Sequence, residues 1–299
     1  MDLQPPKELE SYWRMCRLGT TVLLLGSFVF PGCDVNKSRP LPDPVLVDYV
    51  TLLGVTGPDA PNELLSGWER ASPEQSLLKV DEEVIKRIHM AVSFDLSRYA
   101  MSDELKRALV QAPRLRWLRA NANGHRYVNA DDLEWIVELE LRGLSLIDAD
   151  LHSADLGVLR KLHELQWLNL SGAKLPAMGL PHLPKLEVLF LDYSSLNIPM
   201  PGPGQFPKLK MVGLRDSKVT DDGLRKLVQA APKLRFLDLA WADAITARSV
   251  PVLGRLQQLE GIHVHHTQLE RELVSDEDGR ETIPELQRLL PKCWIGVGG

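Results

Sequence analysis

Cysteine is scarce in this chain. Cys16, Cys33 and Cys293 are the three in 299 residues. They are too few for a disulfide framework, so packing alone must hold the fold. A dominant charge is missing too: 35 basic and 40 acidic side chains leave a net charge of −5. That offers no basic footprint for nucleic acid. The main apolar run, Thr20–Phe30, falls short of the roughly 20 residues a membrane-spanning helix needs. No phosphate-binding loop, dinucleotide fingerprint or nucleophile-elbow serine occurs. With no catalytic constellation and no cofactor signature, an enzyme is not the expectation. What remains is ordinary globular composition, 44% hydrophobic and 25% charged, enough for one elongated core.

What is abundant is one spacing. Leu165-x-x-Leu168-x-Leu170 returns at Leu186, Leu209, Leu234 and Leu259, with leading leucines 21, 23, 25 and 25 residues apart. Earlier copies are read at Ala91-x-x-Phe94-x-Leu96, Leu115-x-x-Leu118-x-Ala120 and Ile136-x-x-Leu139-x-Leu141. Together they predict eight strands between residues 91 and 264, with a last half-unit at Trp294–Val297. Met101–Val110 and Thr220–Val228 predict helices capped by Ser102 and Thr220, with acids in the first turn. Residues 197–205 hold three prolines and predict a non-helical crossing.

A period of about 20–29 residues carrying L-x-x-L-x-L marks a leucine-rich repeat. Val219-Thr-Asp-Asp-Gly-Leu-Arg-Lys-Leu227 followed by Leu234-Arg-Phe-Leu-Asp-Leu239 resembles the bacterial LTDxGLxxL…LxxLxL repeat, a class related to the ribonuclease-inhibitor-like repeats. Leu286-Gln-Arg-Leu-Leu-Pro-Lys-Cys-Trp-Ile295 resembles the usual close of such arrays. The resemblance spans residues 90–297. It implies an α/β solenoid: a curved parallel sheet on the concave face, with helices and loops on the convex face. Such folds mostly present binding surfaces.

The N-terminal third reads differently. Lys7, Arg14 and Arg17 precede the apolar run, which ends in Phe30-Pro-Gly-Cys33. This resembles a secretory signal closed by the lipobox of bacterial lipoproteins, in which the cysteine is acylated and becomes the mature N-terminus. Gly32-Cys33 fits; Phe30 and Pro31 depart from the usual residues. The chain then divides into a signal peptide at 1–33, a Pro-rich tether at 34–60, a capping segment at 61–89 and the repeats at 90–299. An exported monomer, held in the bacterial cell envelope by a lipid anchor, is the expectation.

Strand side chains alternate, so the residues between the inward leucines face the concave side. In one column stand Trp117, Glu138, Trp167, Val188, Met211 and Phe236. Arg119, Glu140, Asp238 and His263 stand in the next, and Arg142, Arg215 and His265 in a third. Trp117, Trp167, Met211 and Phe236, with Arg119, Arg142 and Arg215 nearby, are the candidate contacts for an unidentified protein partner. Alternatively, the apolar column packs against itself or under the capping segment. A rival reading is a metal-dependent enzyme or metal-binding protein centred on Asp238, His263 and His265, although His263 and His265 would stand roughly 7 Å apart. Ser275-Asp-Glu-Asp-Gly279 lacks the ligand pattern of a calcium loop and reads as solvated.

Replacing Cys33 by Ser removes the acylation site. Two or more acyl chains contribute about 0.8 kcal/mol per buried CH2 to membrane attachment. The variant is therefore expected in soluble fractions after cell fractionation, where the parent pellets with membranes. Equal membrane retention of both would remove the lipid-anchor reading.

Overall fold

The computed structural model describes residues 77–121, 128–176, 179–194, 202–273 and 283–297. Signal, tether and most of the capping segment lie outside these residues, as do Cys33, most of 197–205 and the acidic stretch 275–279. No helix among the described residues is long and apolar enough to cross a membrane.

Nine short strands form one parallel sheet in chain order, each pairing with the next. They are β1 (Ser93–Asp95), β2 (Trp117–Arg119), β3 (Gly143–Ser145), β4 (Trp167–Asn169), β5 (Val188–Phe190), β6 (Met211–Gly213), β7 (Phe236–Asp238), β8 (Gly261–His263) and β9 (Trp294–Gly296). Consecutive neighbours and a constant register make this an open solenoid of stacked coils, the leucine-rich-repeat architecture the spacing implied.

Helices punctuate the return segments: α1 (Glu82–Met90), α2 (Asp103–Val110), α3 (Ala130–Ile136), α4 (Asp221–Ala230), α5 (Val250–Leu253), α6 (Gln268–Leu273) and α7 (Pro284–Leu289). The expected caps are in place. Ser102 Oγ accepts from Leu105 N at 3.1 Å and Thr220 Oγ1 from Gly223 N at 3.2 Å. Each satisfies one orphan donor of a first turn. The helix α1 buries Ile88 against the array, and Leu78 bridges to Tyr99.

Let the leading leucine of each coil be position one. Positions one, four and six then point into the core. Leu118, Leu144, Leu168, Leu189, Val212, Leu237 and Ile262 at position four are each at most 2% exposed. Position six is filled by Leu146, Leu170, Leu191, Leu214, Leu239 and Val264, all buried.

One strand is not where the spacing put it. The third is Gly143–Ser145, paired Trp117↔Gly143 and Gly143↔Trp167, not the segment centred on Leu139. Residues 136–139 close α3 and its turn, with Val137 N donating to Leu133 O at 3.1 Å. The true frame is Leu141-x-x-Leu144-x-Leu146. Both frames satisfy L-x-x-L-x-L, and Ile136, Leu139, Leu141, Leu144 and Leu146 are all buried, so apolar spacing does not choose between them. Side-chain size does: a Cβ on Gly143 would stand 2.0 Å from Trp117 Cε3. Glycine at this point lets the indole of β2 lie across β3.

Leu168→Ala, Leu189→Ala and Leu237→Ala are each expected to lower unfolding free energy by roughly 2–5 kcal/mol through lost transfer energy and a cavity. Gly143→Ala is expected to destabilise as well, by displacing the Trp117 ring. Urea unfolding followed by circular dichroism measures both. Losses below about 1 kcal/mol at all three leucines would contradict the register.

Candidate functional site

The concave face is built from positions three, five and seven of each coil. Position three carries the apolar column: Trp117, Trp167, Val188, Met211 and Phe236. These side chains share a column, as alternation required, but they are buried, Trp117 and Phe236 at 5% exposure and Trp167 at 4%. Trp117 and Trp167 rings lie 6.2 Å apart, and Trp167 and Phe190 also 6.2 Å. The Arg235 guanidinium sits 5.6 Å from the Phe236 ring. Such tilted aromatic contacts add to their area burial. Trp167 Nε1 and Asn169 Nδ2 are buried without a hydrogen-bond partner, a cost of about 1–3 kcal/mol each.

Positions five and seven carry paired charge. Arg119 lies 3.6 Å from Asp95 Oδ2 across β1 and β2. Arg215 Nε approaches Asp238 Oδ2 at 3.6 Å, and His263 Nδ1 stands 3.4 Å from Asp238 Oδ1. Asp238 also accepts from Ala240 N at 2.9 Å. Asp95 and Asn169 make the same bond two residues along, to Ser97 N at 2.8 Å and Ser171 N at 2.9 Å. Burial alone would raise the Asp238 carboxyl. Arg215, His263 and the Ala240 amide outweigh it and hold Asp238 well below the usual carboxylate range. Burial pushes His263 down despite the pull of Asp238.

Of the expected partner contacts, Arg119 and Arg215 are thus engaged by the chain's own carboxylates. Arg142 is not on the concave face at all. In the corrected frame it occupies position two, ahead of β3, and is exposed. Glu138 and Glu140 leave the columns for the same reason.

The exposed aromatics stand elsewhere. Tyr193 is 58% exposed and Trp241 40%. Both occupy position eight, just past the strands. Position eight is left-handed in every described coil from β3 to β8: Asp148, Gly172, Tyr193, Asp216, Trp241 and His266 have φ between 48° and 67°. In the first five of these the amide donates to the position-seven carbonyl of the next coil, as in Tyr193 N to Arg215 O at 2.7 Å and Trp241 N to His265 O at 2.8 Å, whereas His266 N donates to Glu270 Oε2. The two-residue alternation of a strand ends at this turn. A sequence reading carried no further than position seven therefore misses both rings, though each directly follows a column residue.

The rival metal centre is rearranged in the same way. Asp238, His263 and His265 do not converge. His263 turns to Asp238, and its ring stacks 6.0 Å from that of His265. Among the described residues, the single group of three potential ligands within 4.8 Å of one another is His265, His266 and Glu270. His265 Nδ1 lies 3.5 Å from Glu270 Oε1, and Glu270 Oε2 accepts from His266 N at 2.5 Å. Cys293 is buried, with its thiol pushed up to about 12 by burial, and is no nucleophile.

No family model matches the chain, and no curated protein does. Solved structures do. TLR13, in a complex with ssRNA13, is 18% identical over 72% of this chain and 30% of its own, with a TM-score of 0.53. This chain thus spans less than a third of that one. A leucine-rich-repeat protein of Leptospira interrogans is 18% identical over 75% of this chain and 53% of its own, with a TM-score of 0.39. Internalin C2 from Listeria monocytogenes is 18% identical over 73% of this chain and 93% of its own, with a TM-score of 0.38. The likeness is one of fold.

The burial of His263 has a consequence for pH. Its folded-state pKa lies below the unfolded value of about 6.5, so the folded chain binds fewer protons. The stability this contributes is present above about pH 6.5 and is lost as pH falls below it. His263→Gln is expected to lose less stability than the parent between pH 8 and pH 5, as read from urea midpoints. Equal losses would show that His263 does not set this limb.

Proposed function

We propose that this chain is a non-catalytic protein-interaction module of a bacterial cell envelope. A lipid on Cys33 anchors it, the Pro-rich stretch 34–60 holds the repeats off the membrane, and a partner protein docks along the concave side of the sheet. The signal-like leader and the Gly32-Cys33 pair support the location. The repeat fold supports binding over catalysis, since a solenoid offers one extended surface rather than an enclosed pocket.

One observation carries the reading: Tyr193 and Trp241 are presented to solvent from left-handed turns. For a residue with a Cβ that conformation costs roughly 1–2 kcal/mol. Here two large rings occupy it and remain exposed, flanking Arg215 in the neighbouring coils. Rigid aromatics next to arginine make good anchors at interfaces. The buried column of Trp117, Trp167, Met211 and Phe236 then serves as the floor on which this rim stands.

A cross-linked pull-down from envelope extracts identifies the partner, and titration with the purified partner gives the affinity. Tyr193→Ala and Trp241→Ala are each expected to weaken binding by on the order of 1–3 kcal/mol, with melting temperature little changed. If the double variant binds as tightly as the parent, this rim is not the contact.

A further inference from the structure

Three side chains near the last full strand meet in a way that strand geometry alone forbids. His265 and His266 are consecutive, and in an extended strand they would point to opposite faces. His266 has φ of 59°, which ends the alternation. The two rings come to lie 3.8 Å apart. Glu270, in α6, completes the group. One ligand atom from each residue falls within 4.8 Å of the other two.

The geometry points to a binding site for one divalent transition-metal ion of the zinc class, held by His265, His266 and Glu270. Two imidazoles and a carboxylate are a borderline donor set that suits zinc, and three protein ligands leave one position open. Zn–N and Zn–O bonds of about 2.0–2.2 Å place tetrahedral donors about 3.3–3.5 Å apart. The 3.5 Å between His265 Nδ1 and Glu270 Oε1 already matches that edge. A ligand atom of His266 lies within 4.8 Å of both.

The surroundings fit this use. His265 Nδ1 is buried with no hydrogen-bond partner, although it faces a carboxylate oxygen. A cation between them gives the imidazole nitrogen its partner. The carboxylate is oriented beforehand: Glu270 Oε2 accepts from His266 N, and Glu270 N donates to Thr267 Oγ1 at 3.0 Å. Such outer bonds fix first ligands for a metal. Trp241 covers one side, its ring 3.8 Å from His266 and 6.0 Å from His265. The cation Arg271 lies beside the group, its guanidinium bonded to Asp243 at 3.1 Å and to the His266 carbonyl at 3.3 Å.

The test uses the full chain in detergent, titrated with Zn2+ by calorimetry. One equivalent is expected to bind. His266→Asn keeps a residue that tolerates the left-handed turn, and Glu270→Gln keeps an acceptor for the His266 amide. Each is expected to weaken zinc binding by at least about 10-fold while far-ultraviolet dichroism is unchanged. His163→Asn, on an exposed histidine remote from the group, is expected to bind as the parent does. Co2+ on the parent provides a readout independent of the variants: intense visible bands of a tetrahedral ion are expected. No stoichiometric Zn2+ uptake, parent-like affinity in both variants, or a Co2+ spectrum like that of the aqueous ion would each overturn the site.

Discussion

One backbone hydrogen bond, repeated coil after coil, sets the geometry of this molecule. The amide of position eight donates to the position-seven carbonyl of the next coil, with distances of 2.7–2.9 Å for Asp148, Gly172, Tyr193, Asp216 and Trp241. Making it turns position eight left-handed. The next amide then reaches back to position six, as in Ala242 N to Leu239 O at 2.9 Å. Position nine is left small and buried, as Ala149, Ala173, Ser194, Ser217, Ala242 and Thr267. Every side chain after the strand is placed by this turn, and so is the stacking distance that the inward leucines must fill.

The strict register that follows has a packing cost, met by glycine. Position-three and position-five residues of adjacent coils stand side by side, at the separation of neighbouring strands. At two places a large ring in one coil lies over a glycine in the next. Trp117 lies over Gly143, and a Cβ on Gly213 would meet Phe190 Cδ1 at 2.7 Å. At the far end the close ring belongs to the same strand: a Cβ on Gly296 would meet the Trp294 ring of β9 at 2.1 Å, and His263 of the preceding coil at 3.1 Å. The concave face is therefore a closely fitted floor of aromatics and glycines, and exposure moves outward to the turn, where Tyr193 and Trp241 stand.

Charge follows the same geometry. Opposite signs at position five of adjacent coils, Asp95 with Arg119, or at positions seven and five, Arg215 with Asp238, neutralise one another where water is scarce. An unpaired buried charge would cost several kcal/mol. Asp238 is consequently held ionised, and His263 beside it is held neutral by burial. The group assigned to a metal ion, His265 with His266 and Glu270, is built instead on the turn.

Sequence alone determined the coil. Burial repeats with the backbone, so inward leucines at a constant interval specify a solenoid, and Ser102 and Thr220 announce their helices through local capping chemistry. It also determined which residues share a column, except in the third coil, where two overlapping leucine frames are equally apolar and a glycine decides between them. Alternation within a strand says which side a residue faces, but not how deeply its neighbours bury it. Trp117, Trp167, Met211 and Phe236 stood in the right column and proved to be floor. Tertiary structure alone decided what is open and what meets. The left-handed turn swings Tyr193 and Trp241 to solvent, where the next coil's carbonyl takes the amide, and folds His266 against His265, where the Glu270 carboxylate takes it, contacts that no spacing along the chain encodes.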